Sequence, residues 1–197
     1  MDLAGKTVLF LGSSVTYGSA ANGESFADML ADYGCNVVKE AVSGTTLVDT
    51  GADSYVSRMK TMDKALNADL FVCQLSTNDA SQGKPLGALD GAKDTSTIAG
   101  AIEHIIDYVK RTWNCPVAFY TNPRYDSEPY AQMVELLKEC VQKHSIGVID
   151  LWSDAEFNRI TDEQRARYMA DPIHPTRQGY REWWLPVFAQ AVESMCK

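Results

Sequence analysis

The sequence predicts one α/β domain, a three-layer α/β/α sandwich built around a five-stranded parallel sheet. Short, uninterrupted apolar runs such as 8–11 are typical of strands that are buried on both faces. Segments with helical spacing of apolar residues alternate with these runs, which favours parallel strands joined by helices. The chain has 197 residues, enough for one substantial core and too few for two ordinary domains. We therefore expect residues 1–197 to form a single domain.

The elements follow in order along the chain. Strands are predicted at 7–12, 36–42, 69–75, 116–121 and 147–151, and helices at about 26–33, 53–66, 95–113, 128–143, 161–168 and 176–196. Gly34 is expected to end the first of these helices in a left-handed conformation, and Thr161 to Gln164 resembles a capping sequence. Residues 80–94 are rich in Gly, Ser, Lys and Asp, which predicts a loop, with mobility over the site as one interpretation. Right-handed crossovers favour the flavodoxin-like strand order 2-1-3-4-5.

The charge and the apolar content of the sequence argue against several classes of binding partner. Lys and Arg total 18 against 26 Asp and Glu, a net charge of −8 without a basic cluster, which argues against nucleic acid and anionic membranes. No apolar run approaches the ~20 residues that span a bilayer, so no stable membrane insertion is expected. The N-terminus lacks a signal-peptide pattern, although a removed one stays open, and the oligomeric state is not predicted.

The five cysteines are odd in number and widely spaced, without a C-x-x-C pair. This pattern favours reduced thiols in a cytoplasmic protein and makes a structural zinc site improbable. The sequence also lacks a phosphate-binding Gly-rich loop, so neither a cofactor nor a metal is predicted.

Ser14 lies where the first strand ends, beside Gly12 and Ser13. The carboxyl ends of parallel strands are where open α/β sheets gather their chemistry. A serine in this position is either a nucleophile or a helix cap, and Ser14 alone does not decide between them. A serine nucleophile requires a neighbouring base, so the histidines bear on this choice.

Of the three histidines, His174 is the best candidate for the base. It follows Asp171 by three residues and lies between Pro172 and Pro175, which stiffen the segment. A carboxylate at that spacing can accept the Nδ1 proton and leave Nε2 free to receive a proton from Ser14. We interpret His104, within a helix, as structural or exposed, and His144, at a helix C-terminus, as a capping residue.

Acyl transfer also needs donors to the developing oxyanion. The candidates are the backbone N–H of Ser14, the N–H of Gly44 after the second strand, and the side-chain amide of Asn78 after the third. The alternative is that Gly44 only permits a turn and Asn78 only caps a helix. The predicted strand order places all three at adjacent strand ends.

These residues resemble the four motif blocks of the SGNH (GDSL-like) hydrolase family. The segment 12–16, Gly44, Asn78 with Asp79, and the segment 171–174 occur in the family's order and at about its spacing. The resemblance implies ester hydrolysis through a triad of Ser14, His174 and Asp171, with an oxyanion hole of Ser14, Gly44 and Asn78. Two positions depart from the family pattern: Ser13 replaces the usual acidic residue, and Ser76 replaces the usual glycine before Asn78.

Loops after the strands are expected to line the substrate pocket. The candidates are Val15, Tyr17, Thr45, Thr46, Asp79, Tyr125, Tyr130 and Ile173. This polar and aromatic set favours a short-chain esterase acting on a small-molecule or carbohydrate ester, with O-deacetylation of a carbohydrate as the specific hypothesis. The alternatives are a thioesterase or lysophospholipase of the same family, or a non-catalytic module that binds a carbohydrate or a protein.

Overall fold

A computed structural model describes residues 2–196 and contains one parallel sheet. Its strands are β1 (Thr7–Gly12), β2 (Asn36–Ala41), β3 (Leu70–Gln74), β4 (Val117–Tyr120) and β5 (Gly147–Ile149). They lie in the order β2-β1-β3-β4-β5, and every neighbouring pair is parallel. The predicted α/β/α architecture and its flavodoxin-like strand order are therefore confirmed. This order brings the carboxyl ends of β2, β1 and β3 together at one edge of the sheet.

The helices cover both faces of the sheet. They are α1 (Ser14–Tyr17), α2 (Phe26–Met29), α3 (Tyr55–Met59), α4 (Thr77–Ser81), α5 (Ile98–Thr112), α6 (Glu128–His144), α7 (Asp162–Tyr168), α8 (Arg177–Gly179) and α9 (Leu185–Met195). Short 3-10 turns follow α1 and α2, and the second of these ends at Gly34, whose φ of 81° is left-handed as predicted. The capping box between Thr161 and Gln164 is also present at the start of α7.

Alternation along the strands divides the core into two layers. Leu9 and Leu11 point into the layer under α3, α5 and α6, whereas Val8 and Phe10 point into the layer under α2 and α9. The second layer is strongly aromatic. Phe26 lies at its centre, with its ring centroid 3.8–6.0 Å from five other aromatic rings. Both faces of β1 are therefore anchored, which fixes the position of its carboxyl end.

The predicted helix over 53–66 is wrong in its second half. The helix α3 ends at Met59, although apolar residues continue at helical spacing. The hydroxyl of Thr61 donates to the carbonyl of Arg58 at 2.7 Å, and the carboxylate of Asp63 accepts from the N–H of Ala65 at 2.9 Å. These local side-chain bonds compete with the helical ladder and end it.

The predicted helix over 176–196 is interrupted. Between α8 and α9 the chain forms a π-helical turn over Tyr180–Trp184, and Pro186 follows in the first turn of α9. Proline lacks an N–H and its ring clashes with the preceding turn, so a wider turn immediately before it relieves the conflict.

Residues 82–94 form a loop, as predicted, whereas Ala80 and Ser81 still belong to α4, and the loop is attached to the helices beside it. The N–H of Ile98 donates to the carbonyl of Pro85, and the N–H of Gly91 donates to the carboxylate of Glu103. Leu86 and Leu89 pack against the core. These contacts hold the segment against α5 and α6, and they argue against the interpretation that it is a mobile cover over the site.

All five cysteines are buried free thiols. Burial raises the pKa of Cys35 and of Cys115 to about 11 and that of Cys140 to about 12, so these thiols stay protonated near neutral pH. Within residues 2–196, no helix has the length and apolar composition needed to cross a membrane.

Candidate active site

The site begins where β1 turns into α1. Gly12 is packed so closely that an added Cβ would lie 1.8 Å from the Thr16 hydroxyl oxygen. The side-chain carbonyl of Gln74, at the end of β3, accepts hydrogen bonds from the N–H of Ser13 at 2.9 Å and the hydroxyl of Thr16 at 2.8 Å. Ser13 occupies the N-cap position, and Ser14 is the first residue of α1. Ser14 is therefore not the helix cap, and its side chain is free for another partner.

That partner is His174. The Ser14 Oγ and the His174 Nε2 are 2.8 Å apart, although 160 residues separate them in sequence. The other ring nitrogen, Nδ1, lies 2.7 Å from Oδ2 of Asp171. A hydroxyl, an imidazole and a carboxylate thus form one continuous chain of hydrogen bonds.

Asp171 is fixed by its own loop. Its Oδ1 accepts the backbone N–H groups of Ile173 and His174, each at 2.8 Å, which leaves Oδ2 for the imidazole. Burial by itself would raise the pKa of Asp171, but these hydrogen bonds and the adjacent imidazole hold the pKa below its usual value. The carboxylate is therefore ionised at neutral pH and can stabilise a proton on Nδ1.

This arrangement has a specific chemical capability. When Asp171 accepts the Nδ1–H, the lone pair of Nε2 faces the Ser14 hydroxyl and can take its proton as the oxygen attacks an electrophile. The same nitrogen can then return the proton to a leaving group. The geometry suits acyl transfer through a serine.

The other two histidines lie elsewhere. His144 Nε2 is 2.8 Å from Oε1 of the buried Glu103, so its side chain joins an ion-pair cluster on α5 and α6. His104 is half-buried on α5, and its Nε2 has no hydrogen-bond partner among residues 2–196. Neither histidine contacts Ser14.

The three predicted oxyanion donors occupy adjacent strand ends. Gly44 is exposed with a left-handed φ of 82°, and no atom lies within 4 Å of the place where a Cβ would be, so conformation and not crowding favours glycine there. The side-chain amide of Asn78 donates to the carbonyl of Thr45 at 2.9 Å, which places it beside Gly44. Within the described chain, the backbone N–H groups of Ser14 and Gly44 have no acceptor. Both are free to donate to a ligand oxygen.

Sequence reasoning missed Arg58. This arginine on α3 is buried, and its NH2 group donates to the Gly12 carbonyl at 2.8 Å and to the Thr45 hydroxyl at 2.9 Å. Its NH1 group pairs with Glu40 at 3.0 Å. One guanidinium therefore ties the strand end that carries Ser14 to the turn that carries Gly44. A basic residue on a predicted helix usually faces solvent, so no sequence signal distinguished it.

Four of the predicted substrate contacts are buried, among them Val15 and Asp79. Val15 is completely buried in the aromatic layer. Asp79 is also fully buried, and its carboxylate accepts the N–H groups of Leu47 at 2.7 Å and Val48 at 3.0 Å. Burial raises the pKa of Asp79, while those hydrogen bonds oppose the shift. Asp79 shapes the loop after Gly44 instead of facing a substrate.

The remaining candidates differ in accessibility. Thr46 and Tyr130 are buried, and the Thr45 hydroxyl is occupied by Arg58 and by the Val42 carbonyl. Tyr17 is 45% exposed and borders a cavity of about 240 Å³ with Val42. Tyr125 lines a larger cavity of about 550 Å³ that reaches Asp171. Ile173 is half-buried, and its carbonyl accepts from Asn122 at 3.1 Å. Tyr17, Tyr125 and Ile173 keep surface that a substrate could contact, and so does Thr45, although its hydroxyl is already engaged.

Within residues 2–196, no group of three or more His, Cys, Asp or Glu side chains is placed to hold a metal ion.

Comparison with known proteins identifies the family and the fold. Residues 10–182 match the model of the GDSL-like Lipase/Acylhydrolase family. Comparison with curated proteins gave no match. One solved structure is 25% identical, with a TM-score of 0.83 and coverage of 100% of both chains.

Two further solved structures are similar to this chain over nearly its whole length. A carbohydrate acetylesterase family member from Sinorhizobium meliloti is 19% identical, with a TM-score of 0.63 over 95% of this chain and 99% of the other. A mutant of Axe2, an acetyl-xylooligosaccharide esterase from Geobacillus Stearmophilus, is 18% identical, with a TM-score of 0.67 over 98% and 96%. At these identities the two likenesses establish the shared fold. The family match spans most of the sequence, and the chain belongs to the GDSL-like Lipase/Acylhydrolase family of hydrolases.

Proposed function

We propose that this chain is a serine esterase that removes short acyl groups, acetyl above all, from carbohydrate esters. The observation that carries the proposal is the 2.8 Å contact between Ser14 Oγ and His174 Nε2, continued by the 2.7 Å contact between Nδ1 and Asp171. A merely binding member of the family has no chemical need for this alignment.

In the proposed reaction, Ser14 Oγ attacks the ester carbonyl carbon while Nε2 of His174 takes the hydroxyl proton. The tetrahedral oxyanion receives hydrogen bonds from the N–H groups of Ser14 and Gly44 and from the Asn78 amide. The intermediate collapses, the C–O bond breaks, and His174 gives its proton to the departing alcohol oxygen. A water molecule then repeats the sequence on the acyl-enzyme and releases the carboxylic acid and free Ser14.

The preference for short acyl groups rests on the shape of the site. The cavity beside Tyr17 and Val42 measures about 240 Å³ and lies next to the turn that carries Gly44. This volume is below the usual range of about 300–1,000 Å³ for ligand pockets. The carbohydrate preference rests on the polar and aromatic side chains around the larger cavity. It is supported by two solved structures with the same fold, one named as a carbohydrate acetylesterase family member and one as an acetyl-xylooligosaccharide esterase.

A panel of para-nitrophenyl esters from acetyl to decanoyl, together with an acetylated xylo-oligosaccharide, tests this function. We expect kcat/KM to be highest for acetyl or propionyl esters and acetate to be released from the oligosaccharide. Ser14→Ala should lower kcat by at least about a thousandfold. Ser13→Ala is the matched control, because the Ser13 hydroxyl has no hydrogen-bond partner among the described residues. Highest activity on long acyl chains would favour a lysophospholipase instead, and equal activity in Ser14→Ala would refute the serine mechanism.

A further inference from the structure

A cavity of about 550 Å³ lies against the loop that carries the candidate triad. Its walls include Asp171 and Pro172, the first two residues of the segment that ends in His174. Tyr125 and Met169 supply aromatic and apolar surface on the other sides. A volume of this size is typical of sites that hold a complete small ligand.

The cavity is also lined by the two arginines that form no salt bridge within residues 2–196. The arginines elsewhere each form a salt bridge with a carboxylate: Arg58, Arg111, Arg159, Arg167, Arg177 and Arg181. Arg124 and Arg165 line the cavity, and neither has a carboxylate oxygen within 4.0 Å among residues 2–196. In a chain with a net charge of −8, carboxylates are abundant, so two guanidinium groups left without one at a single cavity are notable.

The two arginines differ in how firmly they are held. The Nε of Arg124 donates to the carbonyl of Trp152 at 3.0 Å, which leaves its two terminal amino groups available. The guanidinium of Arg165, on α7, has no hydrogen-bond partner within the described chain. A guanidinium presents paired N–H donors that match a carboxylate in a bidentate manner.

Carboxylates line the cavity as well. Asp171 is occupied by the imidazole of His174 and by two backbone N–H groups, so it is already committed. Asp126 and Asp162 share the wall but lie beyond salt-bridge distance of both guanidinium groups. They leave the exposed guanidinium groups of Arg124 and Arg165 without a carboxylate partner, and they are themselves suited to accept hydrogen bonds from ligand hydroxyl groups.

We propose that this cavity binds the alcohol part of the ester and that Arg165, with Arg124, selects alcohols that carry a carboxylate. This inference rests on the proposed function. His174 must deliver a proton to the departing alcohol oxygen, so the alcohol belongs on the side of the imidazole, where Asp171 and Pro172 form the cavity wall. The ligand class is an acylated hydroxy acid, such as an acetylated sugar acid, whose hydroxyl groups face Asp126 and Asp162.

A matched pair of substrates isolates the charge. Para-acetoxybenzoate and para-acetoxybenzamide have the same acyl group and nearly the same shape, but only the first carries a carboxylate. The readout is the ratio of their kcat/KM values in each variant relative to the ratio in the wild type, because this comparison cancels their difference in intrinsic reactivity. We expect Arg165→Gln and Arg124→Gln each to lower the relative preference for the anionic ester by about tenfold, the loss of one charge-assisted hydrogen bond. The loss should appear in KM and not in kcat.

Arg159→Gln is the control for loss of one positive charge, because Arg159 is exposed, pairs with Glu156, and does not line the cavity. It should leave the ratio unchanged. Asp162→Asn should change the ratio in the opposite direction, because it removes a negative charge from the same wall.

Binding to the Ser14→Ala protein separates this inference from the proposed function, since it needs no turnover. Calorimetric titration with para-hydroxybenzoate should show binding that Arg165→Gln weakens by about tenfold and Arg159→Gln does not. If hydrolysis of both esters is absent but this binding pattern holds, the esterase proposal fails and the anion site stands. If esters are hydrolysed while Arg165→Gln alters neither the ratio nor binding, the anion site is refuted and the esterase stands.

Discussion

Replacing Arg58 with Met tests whether one buried guanidinium holds the active-site edge together. Arg58 contacts the Gly12 carbonyl, the Thr45 hydroxyl and Glu40 at 2.8–3.0 Å. Only 7% of its side chain is exposed, whereas 33% of the Glu40 side chain is. Methionine keeps much of the volume but leaves these three acceptors, and the Asp53 carbonyl that accepts from Nε at 2.8 Å, without their donor.

The expected magnitude follows from these contacts. Removing one partner of a buried ion pair costs about 3–5 kcal/mol, because the remaining charge and acceptors stay desolvated. Glu40 can recover some hydration because a third of its side chain is exposed, so we expect the free energy of unfolding to fall by about 3 kcal/mol. The turn with Gly44 loses a tether to β1, and a displacement of about 1 Å at a reacting group can lower turnover about a hundredfold.

Urea unfolding followed by tryptophan fluorescence measures the first effect, and kcat on an acetyl ester, at a temperature where the variant is folded, measures the second. Arg111→Met is the matched control. Arg111 also pairs with a carboxylate, that of Asp107, but its side chain is 68% exposed, and exposed pairs contribute about 0–1 kcal/mol. If Arg58→Met and Arg111→Met cost the same and kcat is unchanged, Arg58 does not brace this edge.

Two other perturbations test the core and the ion-pair cluster. Phe26→Ala should lower the free energy of unfolding by about 3–5 kcal/mol, because it leaves a cavity among aromatic rings, and a loss below about 1 kcal/mol in urea unfolding would contradict this packing. Glu103→Gln should remove a pH-dependent contribution to stability. Burial would raise the pKa of Glu103, but hydrogen bonds from Lys143 and His144 hold this pKa below its usual value. The contribution to stability is therefore fully present above the ordinary pKa of a glutamic acid and is lost as the pH falls through the lower folded pKa. Urea unfolding from neutral pH to about pH 3 should show the difference between wild type and Glu103→Gln shrinking in acid, and a constant difference would argue against the ion pair.

The sheet was predictable because its central strands correspond to uninterrupted apolar runs in the sequence. Residues 8–11 and 70–73 are buried on both faces, so their sequence carries no alternation and points directly to a parallel sheet covered by helices. The strand order then placed the ends of β1, β2 and β3 side by side, which is where the structure has Ser14, Gly44 and Asn78.

Helix ends were less predictable because local hydrogen bonds override periodicity. The apolar spacing that predicted a helix to residue 66 continues in Met62 and Leu66, yet Thr61 and Asp63 bond to the backbone and end the helix at Met59. The sequence contains Pro186, and the structure has a π-helical turn over Tyr180–Trp184 just before it. That turn could not be predicted, because it depends on how the backbone before the proline adjusts to the proline ring.

Site residues that belong to no motif and whose roles depend on distant partners could not be found from sequence. Arg58 acquires its function from a carbonyl 46 residues away, and Asp79 from backbone N–H groups 31 and 32 residues away. Position after a strand predicted surface for Val15 and Asp79, whereas the helical turns of α1 and α4 direct both side chains into the protein. Ser14, Asp171 and His174 could be predicted because they belong to short, local motif blocks, although Ser14 and His174 are 160 residues apart.

Covalent labelling of Ser14 by a fluorophosphonate tests the central claim most directly. We predict that the wild-type protein gains the mass of one adduct, located by peptide mapping to the segment with Ser14, that Ser14→Ala gains none, and that His174→Ala folds normally but reacts far more slowly. An unlabelled wild type, or equal labelling of wild type and Ser14→Ala, would contradict the proposal that Ser14 is the nucleophile.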